Sequence, residues 1–327
     1  MASITTRIAI EEDLRDRLVA RLDHLRITVS EEARKDVWEA LVAYLRVPHR
    51  SVRARPRTVH RSRELLARQL APNVLAALQA VITELERGED VNQRFTRKHF
   101  KADFNDRLYN DLGVHHLHLG PRDAALDKTG RHLMAGGGSD LLCAVFRTDD
   151  VYLIDVVDHE GFDQQDFAKV IYDNWKHLLG PAMTGWRIGE KDALSGAVRA
   201  QARKAGLSTA VAINGEAFMP GHYMSDGTSA AIVTFADTVL NQHRDMHVWL
   251  EEHTDEVITG IAESTGSELG ELCLKVWNVD ALVDGRIALV EESTGGVFFL
   301  EGQGITYKVL LPEKPEGARV VNQAGGR

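Results

Sequence analysis

Residues 141–159 read LLCAVFRTDDVYLIDVVDH, two apolar runs joined by the short polar stretch Thr148-Asp149-Asp150. β-Branched and aromatic residues suit a pleated surface, and a polar turn between two such runs predicts an antiparallel hairpin. Upstream, residues 113–120 read GVHHLHLG and predict a further strand. The intervening PRDAALDKTGRHLMAGGGSD, about 20 residues, is longer than packing alone needs. On one side, RFTRKHFKADFNDRLYNDLG predicts a helix closed by Gly113; on the other, Phe167, Val170, Ile171, Trp175 and Leu178 share one helical stripe. Residues 95–180 therefore predict an α+β module, an antiparallel meander flanked by helices.

Residues 1–94 predict a helical region. Leu14, Leu18, Leu22 and Leu25 recur at helical spacing, as do Val37, Leu41, Tyr44 and Leu45, with Ser30, Glu31 and Glu32 as the start signal of the second helix. Pro48 and Pro56 forbid continuous helix through the Arg-rich segment 46–68, after which Pro72 and Gly88 bracket another helix. Residues 181–327 predict a mixed α/β region. KDALSGAVRAQARKAGL predicts a helix, and Asn214-Gly215 turns a hairpin. One or two helices follow over TSAAIV…IAES, then the strands GRIALVEES, GVFFLE and GITYKVLLP; the tail EGARVVNQAGGR predicts a frayed end.

With 327 residues, 44% hydrophobic and 27% charged, the chain is not disordered as a whole. Its two cysteines, Cys143 and Cys273, sit in apolar runs, which points to a reducing compartment. The charged, amphipathic start is no signal peptide, and no run of about 18 apolar residues predicts a membrane span, so a cytoplasmic protein without membrane contact is expected. A net charge of −9 argues against a generic polyanion binder. Yet arginines at 46, 50, 53, 55, 57, 61, 63 and 68 face a single acid, Glu64. Arg50, Arg53, Arg55, Arg57, Arg61 and Arg63 could therefore guide an RNA backbone by counterion release, or the segment could be a solvated basic linker.

Strand alternation sends Leu117 and Leu119 to the core and His116 and His118 to the opposite, wet face, roughly 7 Å apart. His159 closes the hairpin and could join them, and the long loop adds Arg122 and Arg131. Imidazoles for base and acid, with arginines for the charged phosphorane, are what phosphodiester cleavage by internal transesterification requires. Two further readings stay open: tolerated surface histidines, or a His-x-His metal site completed by Asp155 or Asp158. No cofactor is indicated, since Gly136-Gly137-Gly138-Ser139 lacks the lysine of a phosphate loop. His243 and His247 lack the intervening glutamate of a metalloprotease helix and predict a surface helix, while PGHYMSDGTSAA predicts a helix-capping turn at Ser225 or Asp226.

The segment 96–160 resembles the RelE/ParE-type toxin fold of the barnase, EndoU, colicin and RelE group of small ribonucleases. There, helices precede an antiparallel meander whose first strand often reads Arg-x-Arg-Val-Gly; here His116-Leu-His118-Leu-Gly120 takes that place, and His159-Glu160 stands where His-Arg is common. The resemblance implies an RNA-cleaving toxin or antiphage effector, with His116, His118 and His159 in the family's catalytic positions, and it admits an antitoxin or other protein partner. It covers about a fifth of the chain. The alternative is a non-catalytic nucleic-acid or protein-binding module; nothing in the sequence indicates an oligomeric state or whether RNA or DNA is bound.

Overall fold

The computed structural model describes residues 5–120, 140–158, 167–219, 221–266, 271–276, 279, 287–293, 297–301 and 306–310. In chain order these form β1 (Thr5–Ile8), α1 (Ile10–His24), α2 (Val37–Arg50), β2 (Thr58–Arg61), α3 (Arg63–Ala67), α4 (Pro72–Arg87) and α5 (Arg107–Leu112). Next come β3 (Val114–His118), β4 (Asp140–Phe146), β5 (Asp150–Asp158), α6 (Phe167–Trp175), α7 (Gly196–Lys204), β6 (Val211–Ile213) and β7 (Glu216–Phe218). The chain ends with α8 (Ala230–Glu252), α9 (Thr254–Thr265), β8 (Glu271–Val276), β9 (Ile287–Glu291), β10 (Val297–Glu301) and β11 (Thr306–Leu310). The class is α+β. Among the described residues, no helix is long and apolar enough to cross a membrane.

The chain makes two compact units: residues 46–233, and a discontinuous unit of residues 1–45 with 234–327. The discontinuity follows from β1, a strand in a stretch whose spacing predicts only helix. It pairs in parallel with β8, Thr5 opposite Glu271 through Ile8 opposite Leu274, at the edge of a sheet ordered β1-β8-β9-β10-β11. In α1, Leu14, Leu18 and Leu22 are fully buried as their spacing predicts, and Asp13 Oδ2 accepts the Val276 amide at 2.6 Å, tying helix to sheet. Ser30 does not cap α2; its hydroxyl accepts only the local Ala33 amide, and Asp36 takes the capping role by accepting the Glu39 amide at 2.9 Å. Pro48 lies inside α2, whose last turn continues to Arg50.

The 46–233 unit is built on a sheet ordered β2-β5-β4-β3. The strands β3, β4 and β5 form the expected antiparallel meander, with Leu117 opposite Leu142 and Leu142 opposite Val156. β2, in the Arg-rich segment, joins it in parallel, with His60 opposite Tyr152. Both faces are covered. On one, Leu117, Leu142 and Leu153 pack with Leu78, Val81 and Leu85 of α4; on the other, Val114, Cys143 and Ile154 pack with Leu108 of α5 and Phe167 and Ile171 of α6. α4 starts on Pro72 and stops on Gly88 at φ 75°, where a Cβ would lie 2.4 Å from the Pro56 nitrogen; only glycine allows that approach of the Arg-rich strand. The Asn214-Gly215 turn carries positive φ at both residues, 53° and 79°, as a two-residue hairpin needs.

The helix predicted from Arg94 is mostly absent: two 3-10 turns, Asn92–Arg94 and Arg97–Phe100, precede the short α5. The cause is Arg50. Its buried guanidinium draws in the carbonyls of His99, Lys101 and Phe104, which are therefore not given to an i,i+4 ladder.

A second buried arginine fixes the end of β3. Arg94 forms a bidentate pair with Glu84 of α4 (2.6 and 2.7 Å) and donates to the carbonyls of His118 and Gly120. Removing one partner leaves the other charge buried, so Arg94→Ala is expected to lower unfolding free energy by about 3–5 kcal/mol in urea titrations. Arg94→Met combined with Glu84→Leu should recover most of it; an Arg94→Ala loss below about 1 kcal/mol would refute this anchoring.

Candidate active site

The structure does not gather the sequence-predicted residues into one wet cluster. His159, Arg122 and Arg131 lie outside the described residues. His116 and His118 do share a face of β3, but it is Val114's face, covered by α5 and α6, and His118 is only 8% exposed. The expectation of a wet face fails because the sheet is buried on both sides, so alternation sorts β3 between two interiors. His116 Nδ1 lies 3.6 Å from Asp106 Oδ2, and Asp106 also caps α5.

His115 sits at the centre of an interior aromatic cluster. Its ring stacks on Phe95 (5.1 Å between centroids), lies 4.2 Å from Tyr109 and meets the edge of Phe146. Phe95 also carries the ring of His99, and Tyr109 that of His49, which completes a run of imidazoles around two aromatic side chains. Burial lowers the pKa of all three, that of His99 to about 3, with the Arg50 cation adding to the effect. These rings are neutral packing groups.

The arginine segment is not a continuous exposed stripe. Arg50 and Arg57 are buried; Arg57 donates to the carbonyls of Arg53, Arg55 and Arg147 and lies over the Phe146 ring at 5.5 Å. Arg55 pairs with Asp149 at 2.5 Å, and Arg63 donates to the Asp173 carbonyl at 2.7 Å. Arg53 and Arg61 are exposed. A stripe read along the sequence ignores the alternation of side chains between faces: two of the six, Arg50 in α2 and Arg57 just before β2, turn into the protein.

The same alternation creates a site that sequence reading missed. The run Thr58-Val59-His60-Arg61 suits a strand, which ends where Ser62 caps α3 and donates its amide and hydroxyl to the carbonyls of Leu153 and Ile154. Val59 turns to the α4 side, which puts His60 on the opposite face beside Asp150 and Tyr152 of β5. His60 Nε2 is 2.7 Å from Asp150 Oδ1, and the ring lies flat on Tyr152, 4.7 Å between centroids and 15° between planes. The rings of Trp175 and His177 meet the same tyrosine at 5.1 and 5.9 Å. The side chains of His60 and Asp150 are 37% and 40% exposed. His60 Nδ1 makes no hydrogen bond among the described residues. The site thus presents a carboxylate-oriented imidazole, a second imidazole across a tyrosine, and an indole. Its only sequence signal is a histidine in phase with Thr58 in a short β-branched run.

Among the described residues, no three His, Cys, Asp or Glu side chains converge in a way that could hold a metal ion. Asp155, a ligand candidate in the metal reading, is buried and held by Arg68 through both carboxylate oxygens. α8 has the exposed face expected of a surface helix, with His247 partly exposed, but His243 is on its buried face, its Nδ1 donating to the Val239 carbonyl. The turn before α8 is organised by Asp226, which accepts the Thr228 amide at 2.8 Å and pairs with Arg46.

The buried imidazoles make stability depend on pH with a definite sign. Their folded-state pKa values lie below the ordinary 6.5, so the unfolded chain binds more protons in acid; their contribution is complete above about 6.5 and is lost as pH falls through the folded-state values, about 3 for His99. Each can contribute up to about 1.4 kcal/mol per pH unit. The double variant His99→Gln, His115→Phe is expected to lose less stability than the parent between pH 7 and 5, by about 2–4 kcal/mol in urea titrations. Parallel pH profiles would exclude these two rings as the acid-labile element.

Protein-family models, curated proteins and solved structures contain no match to this chain.

Proposed function

We propose that residues 46–233 bind and cleave RNA at the β2–β5 edge, in the manner of a toxin or antiphage ribonuclease, with His60 rather than His116 or His118 as the base. The observation that carries this reading is the 2.7 Å His60–Asp150 contact on a ring that is partly open to solvent. A carboxylate holding one imidazole nitrogen orients the ring and stabilises the imidazolium formed when the other nitrogen takes a proton. His60 Nδ1 would accept the ribose 2′-hydroxyl proton as O2′ attacks phosphorus. Protonated His177 would deliver a proton to the departing 5′-oxygen, leaving a 2′,3′-cyclic phosphate and a free 5′-hydroxyl. Trp175 offers a stacking face to a base.

Charge distribution supports the same unit. Residues 46–233 hold 25 of the 39 Lys/Arg against 23 of the 48 Asp/Glu, while the rest of the chain holds 14 against 25. The meander of β3, β4 and β5 between α5 and α6 supports kinship with the RelE/ParE type, and Cys143 and Cys273, neither in a disulfide, support a reducing, cytoplasmic setting. A protein inhibitor of the antitoxin kind, covering the His60 platform, is the partner this reading calls for.

The test is cleavage of a single-stranded RNA by the purified full chain in EDTA. His60→Ala is expected to slow cleavage by about 10²–10⁴-fold and Asp150→Asn by at least about tenfold. Trp175→Ala should weaken RNA binding by about 1–3 kcal/mol. Salt-sensitive binding by the parent without any cleavage, with or without divalent ions, would reduce the site to a binding platform. Cleavage untouched by His60→Ala would overturn the assignment.

A further inference from the structure

The sheet of the 46–233 unit ends on β2, whose outer edge is joined by no further strand among the described residues. In a parallel ladder, alternate residues turn both main-chain groups toward the neighbouring strand. The Thr58 amide reaches the Asp149 carbonyl and the Ser62 amide the Leu153 carbonyl, so residues 58, 60 and 62 face β5 and residues 57, 59 and 61 face outward. At 57 the outward amide is taken by the Leu85 carbonyl of α4. At Val59 and Arg61 neither the amide nor the carbonyl has a hydrogen bond among the described residues. Two donors and two acceptors therefore lie in line on an edge whose Thr58 and Arg61 are exposed. Such a row is a template for another chain.

Charge decides which chain can pair there. From Arg53 to Arg63 the sequence carries five arginines and no acid. Carboxylates of the adjoining segments are already engaged: Asp149 by Arg55, Asp150 by His60, Glu64 by Asn174, Asp155 by Arg68 and Asp173 by Lys169. Glu86 of α4 is followed by Arg87, which offsets it. Arg53 and Arg61 are exposed, and Arg57 and Arg63 are held by carbonyl and amide oxygens that leave their charge in place. A second copy of this edge would set the same arginines against one another, and a nucleic-acid backbone matches the charge but not the alternation of donors and acceptors. We propose that the β2 edge takes an extended acidic segment of a partner protein as a fifth strand, its main chain bonding to Val59 and Arg61 and its carboxylates facing Arg61 and the arginines before the strand.

Strand addition does not depend on RNA cleavage and is tested on the full chain without RNA. The probe is the acetylated and amidated peptide Thr-Glu-Val-Glu-Val-Glu-Thr. One counterpart has lysine in place of each glutamate; the other is N-methylated at its three central amides. The acidic peptide is expected to bind saturably and to slow hydrogen exchange of the Val59 and Arg61 amides at least about tenfold, more than that of the Thr58 amide already bonded in the ladder. The N-methylated peptide should bind at least about tenfold more weakly, the worth of one backbone hydrogen bond, and the lysine peptide not at all. Arg61→Pro removes an amide that the folded chain leaves unbonded, and should weaken binding more than Arg61→Ala, which removes the charge alone. If Arg61→Pro fails to fold, the exchange measurement decides. Equal binding of either counterpart, binding without protection of the two amides, or no saturable binding would each overturn the proposal. So would a dimer of the parent chain in sedimentation that Arg61→Pro dissociates, since the edge would then belong to a second copy.

Discussion

Four residues of parallel ladder, Thr58–Arg61 on Asp150–Leu153, hold together everything proposed for the 46–233 unit. A one-residue slip would send His60 to the α4 side and Val59 to the tyrosine, because strand side chains alternate with a period of two. The register is pinned at both ends. The Arg57 amide reaches the Leu85 carbonyl of α4 and the Thr58 amide the Asp149 carbonyl, while Ser62 closes the far end on Leu153 and Ile154. Arg57, buried beneath the strand on three carbonyls, belongs to the same clamp. Arg57 thus helps, with Thr58 and Ser62, to set the histidine in place.

The meander, α4 and the Asn214-Gly215 hairpin were legible in the sequence because each rests on local chemistry: β-branched runs about a polar turn, a proline start with a glycine stop, and two residues that tolerate positive φ. Burial was legible only on the assumption of one wet face. β3 obeys the predicted alternation, yet its second face meets α5 and α6, so His116 and His118 lie in an interior rather than in water. Periodicity reports which side chains share a face and is silent about what covers it.

The missed features share a different cause: their partners are remote in sequence. Nothing near Arg50 announces that it will hold carbonyls about 50 residues downstream, or that doing so will break the helix expected after Arg94. Nor does the text around His60 mention Asp150 or Tyr152, about 90 residues away. The candidate site was illegible for that reason, although the stretch that contains it had been singled out for its charge.

The pairing of β1 with β8 has a consequence for the order in which the protein can form. Ile8 meets Leu274 only after more than 260 intervening residues have been made. At about 5–20 residues per second on a ribosome, the first strand waits on the order of ten seconds or longer for its neighbour. The 46–233 unit is complete in the meantime and can fold as an insertion within an unfinished host. Until β8 emerges, α1 has the leucine face that the finished unit buries and lacks the sheet it is tied to, so the nascent chain passes through a stage with a folded middle and a beginning open to capture by chaperones.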